Sequence, residues 1–351
     1  MIKNNLSVSC SLYDAIKAIE STDKRLAVVL SDNKAILGTL TDGDIRRHIL
    51  NNKSLDDNVS EAMNRNPVIC NIDTSDSELK KVLLKNNIRS LPLSDNNGKY
   101  VRTLHENELF FDLEESLKDN FSIAVIMAGG EGRRLRPLTE DMPKPMVDIN
   151  GIPLLERQIR KLSKMGISNI YISVNYLGNV IEEYFKDGDA FGVHIRYLNE
   201  TKKLGTAGAL ALLPDINNTD SVLVMNGDVL TTSDFINLYH FYKEQKSIIT
   251  ISAIDYNIEI PFGVIQLEGS KVNSIQEKPS QHFFCNAGIY ALSADAIKKI
   301  PKDKYFDMTD LIEKCIKNDD HVSVFPVHEF WSDVGTIEDL NNARKIFQDG
   351  N

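Results

Sequence analysis

At 351 residues the chain exceeds one average domain and predicts two or three compact units. Its 50 acidic residues outnumber 40 basic ones, which excludes a general nucleic-acid binder, because counterion release on a phosphate backbone needs clustered positive charge. No apolar h-region follows Met1–Leu6, no segment nears the ~20 apolar residues of a membrane span, and Cys10, Cys70, Cys285 and Cys315 lack metal-ligand spacing, so a cytoplasmic protein with reduced thiols is expected.

The first 115 or so residues contain a repeat. A helix over Leu12 to Glu20 precedes the apolar strand Leu26–Leu30, a Ser31–Lys34 turn, a second strand and an acidic turn ending at Asp44. The second copy runs in the same order: helix Asp76 to Asn86, strand Ser90–Leu93, turn Asp95–Gly98, then Tyr100 to Glu108. Two copies of one supersecondary unit predict a pseudo-two-fold pair, with repeats of about 7–57 and 58–117 in a domain spanning 1–117.

This half resembles a tandem cystathionine-β-synthase (CBS) pair, a module that often binds adenine nucleotides. The resemblance implies AMP or ATP as a partner, with Thr41 near phosphate and Asp44 at the ribose, in the stretch Gly38-x-x-Thr41-x-x-Asp44. Arg102, His105 and Glu108 replace those three residues in the second copy, which puts a second site in doubt. A pair that only packs against its neighbour or a second subunit is the alternative.

The pattern changes near Lys118, and 118–351 is expected to form an α/β domain with a mostly parallel sheet. Strands at 123–128, 169–174, 193–198 and 221–225 alternate with helices at 154–165, 180–185 and 206–213. That order puts ligand loops at the carboxyl ends of the strands. The first such loop is Ala128-Gly129-Gly130-Glu131-Gly132, where small residues let backbone N–H groups approach phosphate, with Arg133, Arg134 and Arg136 beside it. A Walker A loop is excluded by the missing Gly-Lys-Ser/Thr, and a dinucleotide fingerprint by Leu135 at its third glycine.

Extended through Pro137-Leu138-Thr139 and Pro143-Lys144-Pro145, the run resembles the signature of the sugar-nucleotide pyrophosphorylases, or nucleotidyltransferases, over about residues 122 to 346. The resemblance implies a Rossmann-like (GT-A-like) domain and Mg²⁺-dependent transfer of a nucleotide from an NTP to a sugar 1-phosphate. It also implies that Arg134 and Lys144 meet the phosphates and that Asp228 and Asp333, of Gly-Asp and Trp-x-Asp-x-Gly, hold the metal. Two fixed cations suit the repulsion between a sugar phosphate and a polyphosphate, and oxygen-only ligation suits Mg²⁺. Arg133 is expected to be solvated, and for Arg136 a solvated surface position is the alternative to a role at phosphate.

By the same resemblance Ala128, Gly129, Gly130, Gly132, Asn175, Gly205, Thr206 and Ala207 line the nucleotide, and Glu277, Lys278, Asn286 and Gly288 the sugar phosphate. A CBS pair ahead of the transferase resembles glucosamine-1-phosphate guanylyltransferases, which supply GDP-sugars for legionaminic acid, a nonulosonic acid. Mannose-1-phosphate guanylyltransferase and glucose-1-phosphate thymidylyl- or cytidylyltransferase are alternatives, as is an adenylate sensor whose transferase fold does not turn over. A homo-oligomer is expected from the CBS pair.

Overall fold

The computed structural model describes residues 5–22, 24–86, 88–109, 120–214 and 216–347. The chain divides into two compact units, Met1–Lys118 and Asp119–Asn351. The boundary anticipated near Lys118 falls outside the described residues.

In the first unit, Ser11 and Asp14 cap the Leu12–Glu20 helix reciprocally, satisfying backbone donors of its first turn. Leu12, Ala15, Ile16 and Ile19 recur at helical spacing and bury one face with Ala27, Val29 and Leu40. Strand Leu26–Leu30 pairs in parallel with Asn5–Ser7 and antiparallel with Ile36–Thr41. The second copy repeats this: Ser90–Ser94 pairs in parallel with Cys70–Asn71 and antiparallel with Tyr100–His105, around Leu79, Leu83, Leu91 and Leu104. The acidic stretch Asp42-Gly43-Asp44 is not a turn but the first turn of helix Asp42–Leu50, where carboxylates complement the helix dipole and Asp44 closes a capping box with Thr41.

The second unit is built on a seven-stranded sheet. His194–Asn199, Asn169–Val174, Ile123–Met127 and Ser221–Asn226 run parallel in that spatial order. Ser280–Ser293 then runs antiparallel, followed by Ile249–Glu259 and Val322–Val327. Val125 and Val224 on one face and Ala124 and Leu223 on the other are fully buried, as expected for strands covered on both faces. Register aligns the carboxyl ends, Met127 opposite both Ser173 and Asn226, so the loops that follow open on one edge.

The two longest strands outrun the sheet. Val322–Val327 stops pairing at Ile254, and Ser221–Asn226 stops at Ile289. Beyond those points the chain continues as a two-stranded ribbon, Glu259 pairing with Ser280, which then bends into the hairpin Val264–Glu268 and Lys271–Gln276. Among the described residues no helix is long and apolar enough to cross a membrane.

Candidate active site

The loop after Ile123–Met127 is held by both neighbouring strands: Ala128 N–H donates to Ser173 O at 2.9 Å, and Gly227 N–H to Met127 O at 2.9 Å. Gly129 lies on the next strand's end, where an added Cβ would sit 3.1 Å from Glu200 Oε1 and 3.3 Å from Asn175 Cβ; Gly130 faces open space. Gly132 has φ +59°, and a Cβ there would come within 2.9 Å of the Lys144 Cβ. Glycine therefore permits both the left-handed turn and the approach of the Pro-Lys-Pro segment. Thr139 Oγ1 donates to Gly132 O at 2.7 Å and closes the loop.

The charged residues of this loop divide in two. Arg133 is largely exposed and pairs with Glu131 at 2.7 Å, and Lys203 bonds the other Glu131 oxygen. Hydrogen bonds from Lys203 and Arg133 hold the Glu131 carboxyl down to about 2. Arg134 is exposed as well, but its guanidinium lies toward Asp333: Nη2 is 3.3 Å from where a Cβ on Gly335 would sit, with Asp333 Oδ2 3.4 Å from the same point.

Lys144 is buried and donates to Asp228 Oδ2 at 2.5 Å and Asp333 Oδ1 at 3.4 Å. The carboxylates, 105 positions apart in the sequence, are joined by pairing of Val229–Thr231 with Trp331–Asp333, in which Val229 opposes Asp333. Val334 N–H also donates to Asp228 O at 3.0 Å. Desolvation, with Asp228 adding like-charge repulsion, raises the Asp333 pKa against the opposing pull of Lys144 and Arg134. The four residues Arg134, Lys144, Asp228 and Asp333 thus form one charged cluster beside the glycine loop.

Gln158, which sequence reasoning missed, supports this cluster from below. It sits buried on helix Leu154–Lys164 and donates from Nε2 to Asn226 O at 3.0 Å and Val229 O at 2.6 Å, straddling Gly227-Asp228. The available signal was an amide on the helix's apolar stripe, next to Ile159 and one turn before Leu162. Glu200 was missed too. Its Oε1 accepts from Ser173 Oγ at 2.6 Å and its Oε2 from Leu204 N–H at 3.0 Å, fixing an acceptor-only group against Gly129. Asn175 holds the same residue by donating to Glu200 O at 2.9 Å.

The remaining motif residues are placed unevenly. Gly205 packs on Phe306 O, Thr206 Oγ1 donates to Asp307 at 3.1 Å and accepts from Met308 N–H at 2.8 Å, and Ala207 is fully buried. Thr206 therefore secures the Met308–Lys317 helix start with its side chain, and Ala207 contributes its backbone N–H to Phe306 O at 3.0 Å. Asn286 donates to Tyr290 OH at 2.8 Å and accepts from Gly288 N–H at 3.0 Å, while Gly288 packs against the Asn226 side chain beside Asp228. Trp331 Nε1 donates to Ala287 O at 2.8 Å, tying that segment to Asp333. Glu277 and Lys278 lie exposed at the ribbon's bend, and among the described residues no hydrogen bond or ion pair joins them to the charged cluster.

In the first unit each member of Gly38-x-x-Thr41-x-x-Asp44 has a structural task. A Cβ on Gly38 would meet Asn64 O at 2.7 Å; Thr41 and Asp44 cap a helix, and Asp44 pairs with Arg47 at 2.6 Å. In the second copy Glu108 accepts from His105 N–H at 2.9 Å, from Arg102 at 2.7 Å and from Lys24. Partial burial pulls the Glu108 pKa up, but those donors outweigh it and hold it at about 2.

The nucleotidyl transferase family model matches residues 123–350, which include the whole charged cluster. The chain belongs to that family. The CBS domain model matches residues 1–51 and 59–115. This nucleotidyl transferase family member is 30% identical over 224 residues to a mannose-1-phosphate guanylyltransferase of Mycobacterium tuberculosis, covering 62% of each chain. It is 32% identical over 241 residues to a UTP–glucose-1-phosphate uridylyltransferase of Synechocystis, covering 63% of this chain and 62% of that one. The matches thus span about three fifths of the curated relatives' length. The solved structure of HddC from Yersinia pseudotuberculosis complexed with GMP-PN superposes with TM-score 0.51 at 28% identity, covering 64% of this chain and 99% of that one.

Proposed function

We propose that the chain transfers a guanylyl group from GTP to a sugar 1-phosphate, with glucosamine 1-phosphate the favoured acceptor, releasing pyrophosphate. The cluster of Lys144 and Arg134 on Asp228 and Asp333, beside the glycine loop, carries this reading. A sugar-phosphate oxygen attacks the α-phosphorus in line, and the bond from that phosphorus to the bridging oxygen of pyrophosphate breaks. Arg134 and Lys144 offset charge on the approaching and departing phosphates, and the backbone of 129–132 receives phosphate oxygens.

Mg²⁺ fits the donor set. Burial, together with the like charge of Asp228, raises the Asp333 pKa despite both cations, so the two carboxylates, joined by one strand pair, favour additional positive charge. Asp228 and Asp333 would hold the ion, which supplies charge neutralisation and orientation of the nucleotide phosphates when bound.

Glu200 supports guanine. A carboxylate only accepts hydrogen bonds, and guanine offers adjacent N1–H and N2–H donors, whereas uracil and thymine offer one N–H between two acceptors. The guanylyltransferase named among the relatives agrees with this preference. Glucosamine 1-phosphate, and with it a place in legionaminic acid synthesis, rests on the order of CBS pair and transferase unit; mannose 1-phosphate is the second reading, favoured by the same relative. Adenylate binding at Thr41 and Asp44, a homo-oligomeric state and a cytoplasmic setting complete the proposal.

The test crosses GTP, UTP, dTTP and CTP with glucosamine, mannose and glucose 1-phosphates in Mg²⁺ and measures pyrophosphate release. GTP with glucosamine 1-phosphate is expected to lead. Turnover with UTP or dTTP in preference to GTP would refute the role given to Glu200, and release that survives both Asp228→Asn and Lys144→Ala would refute the site.

A further inference from the structure

Within Gly129-Gly130-Glu131-Gly132 the only side chain is that of Glu131, and two cations hold it. Its Oε2 accepts from Arg133 Nε at 2.7 Å and its Oε1 from Lys203 Nζ. The Arg133 and Lys203 side chains are 72% and 67% exposed, whereas that of Glu131 is 24% exposed. Lys203 arrives from a segment whose backbone is fixed on both sides. Lys202 Nζ donates to Asp303 O at 2.8 Å, Leu204 N–H to Glu200 Oε2 at 3.0 Å, and Phe306 N–H to Leu204 O at 2.8 Å. The Lys203 side chain therefore reaches the glycine loop from a firm base while its ammonium stays in water.

We infer that Lys203 and Arg133 are ligands of the nucleotide's terminal phosphates and that Glu131 keeps their place in the empty site, a conclusion that rests on the transferase reading. Exposed ion pairs contribute almost nothing to stability and exchange partners readily, so folding gives no reason for this one. Charge decides what replaces it. Arg134 and Lys144 are matched one for one by Asp228 and Asp333, which leaves that cluster no surplus cation for a polyphosphate. Lys203 and Arg133 outnumber Glu131 and so supply one. The Glu131 carboxyl, held down to about 2 by hydrogen bonds from Lys203 and Arg133, stays ionised at neutral pH. It therefore competes with phosphate twice, by occupying both cations and by repelling an anion seated on the N–H groups beside it. A terminal phosphate offers more charge and more acceptor oxygens than a carboxylate and takes both cations by charge-assisted hydrogen bonds. When pyrophosphate leaves, Glu131 takes them back, so the same carboxylate opposes retention of the product.

Isothermal titration of the full chain in Mg²⁺ without sugar phosphate tests it, with GTP, UTP and inorganic pyrophosphate as probes and GMP as the control lacking terminal phosphates. Lys203→Ala and, separately, Arg133→Ala are expected to weaken all three probes about tenfold through lost charged hydrogen bonds, and to leave GMP unchanged. Lys203→Arg keeps the charge and is expected to stay within about threefold of wild type. Glu131→Gln is expected to tighten the three probes about tenfold and, in turnover, to deepen inhibition by added pyrophosphate by a similar factor. None of the three side chains is buried, so unchanged melting temperatures would verify that the fold is intact. Unchanged or weaker binding by Glu131→Gln overturns the inference, because the carboxylate would then be inert or a brace for the loop. So does wild-type affinity in both alanine variants. A wild type that binds the probes with the expected responses but releases no pyrophosphate with any sugar 1-phosphate refutes only the transferase reading, and one that binds none of the probes refutes both.

Discussion

At the scale of single residues, the charged cluster is a local conflict that its folded surroundings maintain. Asp333 binds its proton more tightly than an ordinary aspartate because desolvation and Asp228 outweigh Lys144 and Arg134. Its folded-state pKa lies above the unfolded one, so the folded protein holds more protons in the window between them, and ionised Asp333 costs stability above that window. Asp333→Asn is therefore expected to raise the melting temperature at pH 7. The gain should disappear as pH falls below the ordinary aspartate range, as parallel melts at several pH values would reveal. The same variant should lose pyrophosphate release by a factor of about 100 or more.

Glu108 has the opposite sign. Its folded pKa is depressed to about 2 from 4.5, so its stabilisation is present above the unfolded value and is lost as pH falls through about 2. Glu108→Gln is expected to lower the urea midpoint at pH 7, with the deficit shrinking between pH 4.5 and about 2. A deficit that is constant with pH would mean that lost packing, not charge, is responsible.

At the scale of elements, helix Leu154–Lys164 supports the site through one amide. Gln158→Leu removes two donors from the carbonyls that flank Gly227-Asp228, and each carbonyl left bare in the interior costs about 1–3 kcal/mol. The expected result is a fall in kcat of roughly tenfold with little change in either KM, because the loop loses its support while the substrate contacts remain. Equal losses in stability and in both KM values would point to general unfolding instead.

The elements also show what the sequence could carry. Period-two and period-3.6 patterns located the buried strands 123–127, 169–174 and 221–226 and the helices at 12–20, 76–86 and 154–164, since each buries one continuous stripe or both faces. The strand Lys271–Gln276 was legible, but the ribbon formed by the far halves of Ile249–Glu259 and Ser280–Ser293 was not, because its apolar residues lie toward solvent rather than toward a core. The acidic stretch at 42–44 was misread because Asp and Gly favour turns as well as helix starts, and only the closed capping box with Thr41 distinguishes the two. In the site, charged residues within a motif were legible. Gln158 and Glu200 were not, because their roles depend on carbonyls and N–H groups supplied by other segments.

At the scale of the whole molecule, each unit has its own apolar clusters, around Leu12, Val29 and Leu40 in the first and around Val125, Val224 and Leu292 in the second. A fragment of residues 119–351 is therefore expected to fold by circular dichroism and to release pyrophosphate at a rate within about threefold of the full chain when adenylate is absent. Titrating AMP and ATP into the full chain should alter turnover; a flat response without binding would reduce the first unit to a packing role.

The pairing of Val229 with Asp333 turns the site into a matter of parity. Along a strand, neighbouring side chains point to opposite faces, so one residue inserted between Trp331 and Asp333 would swing the carboxylate away from Lys144, whereas two would return a side chain to the original face one step along. Lengthening the connections elsewhere between Asp228 and Asp333 leaves that parity intact. The segment is thus constrained by counting as much as by chemistry: an odd insertion there is expected to separate the carboxylate pair even when every residue of the cluster survives.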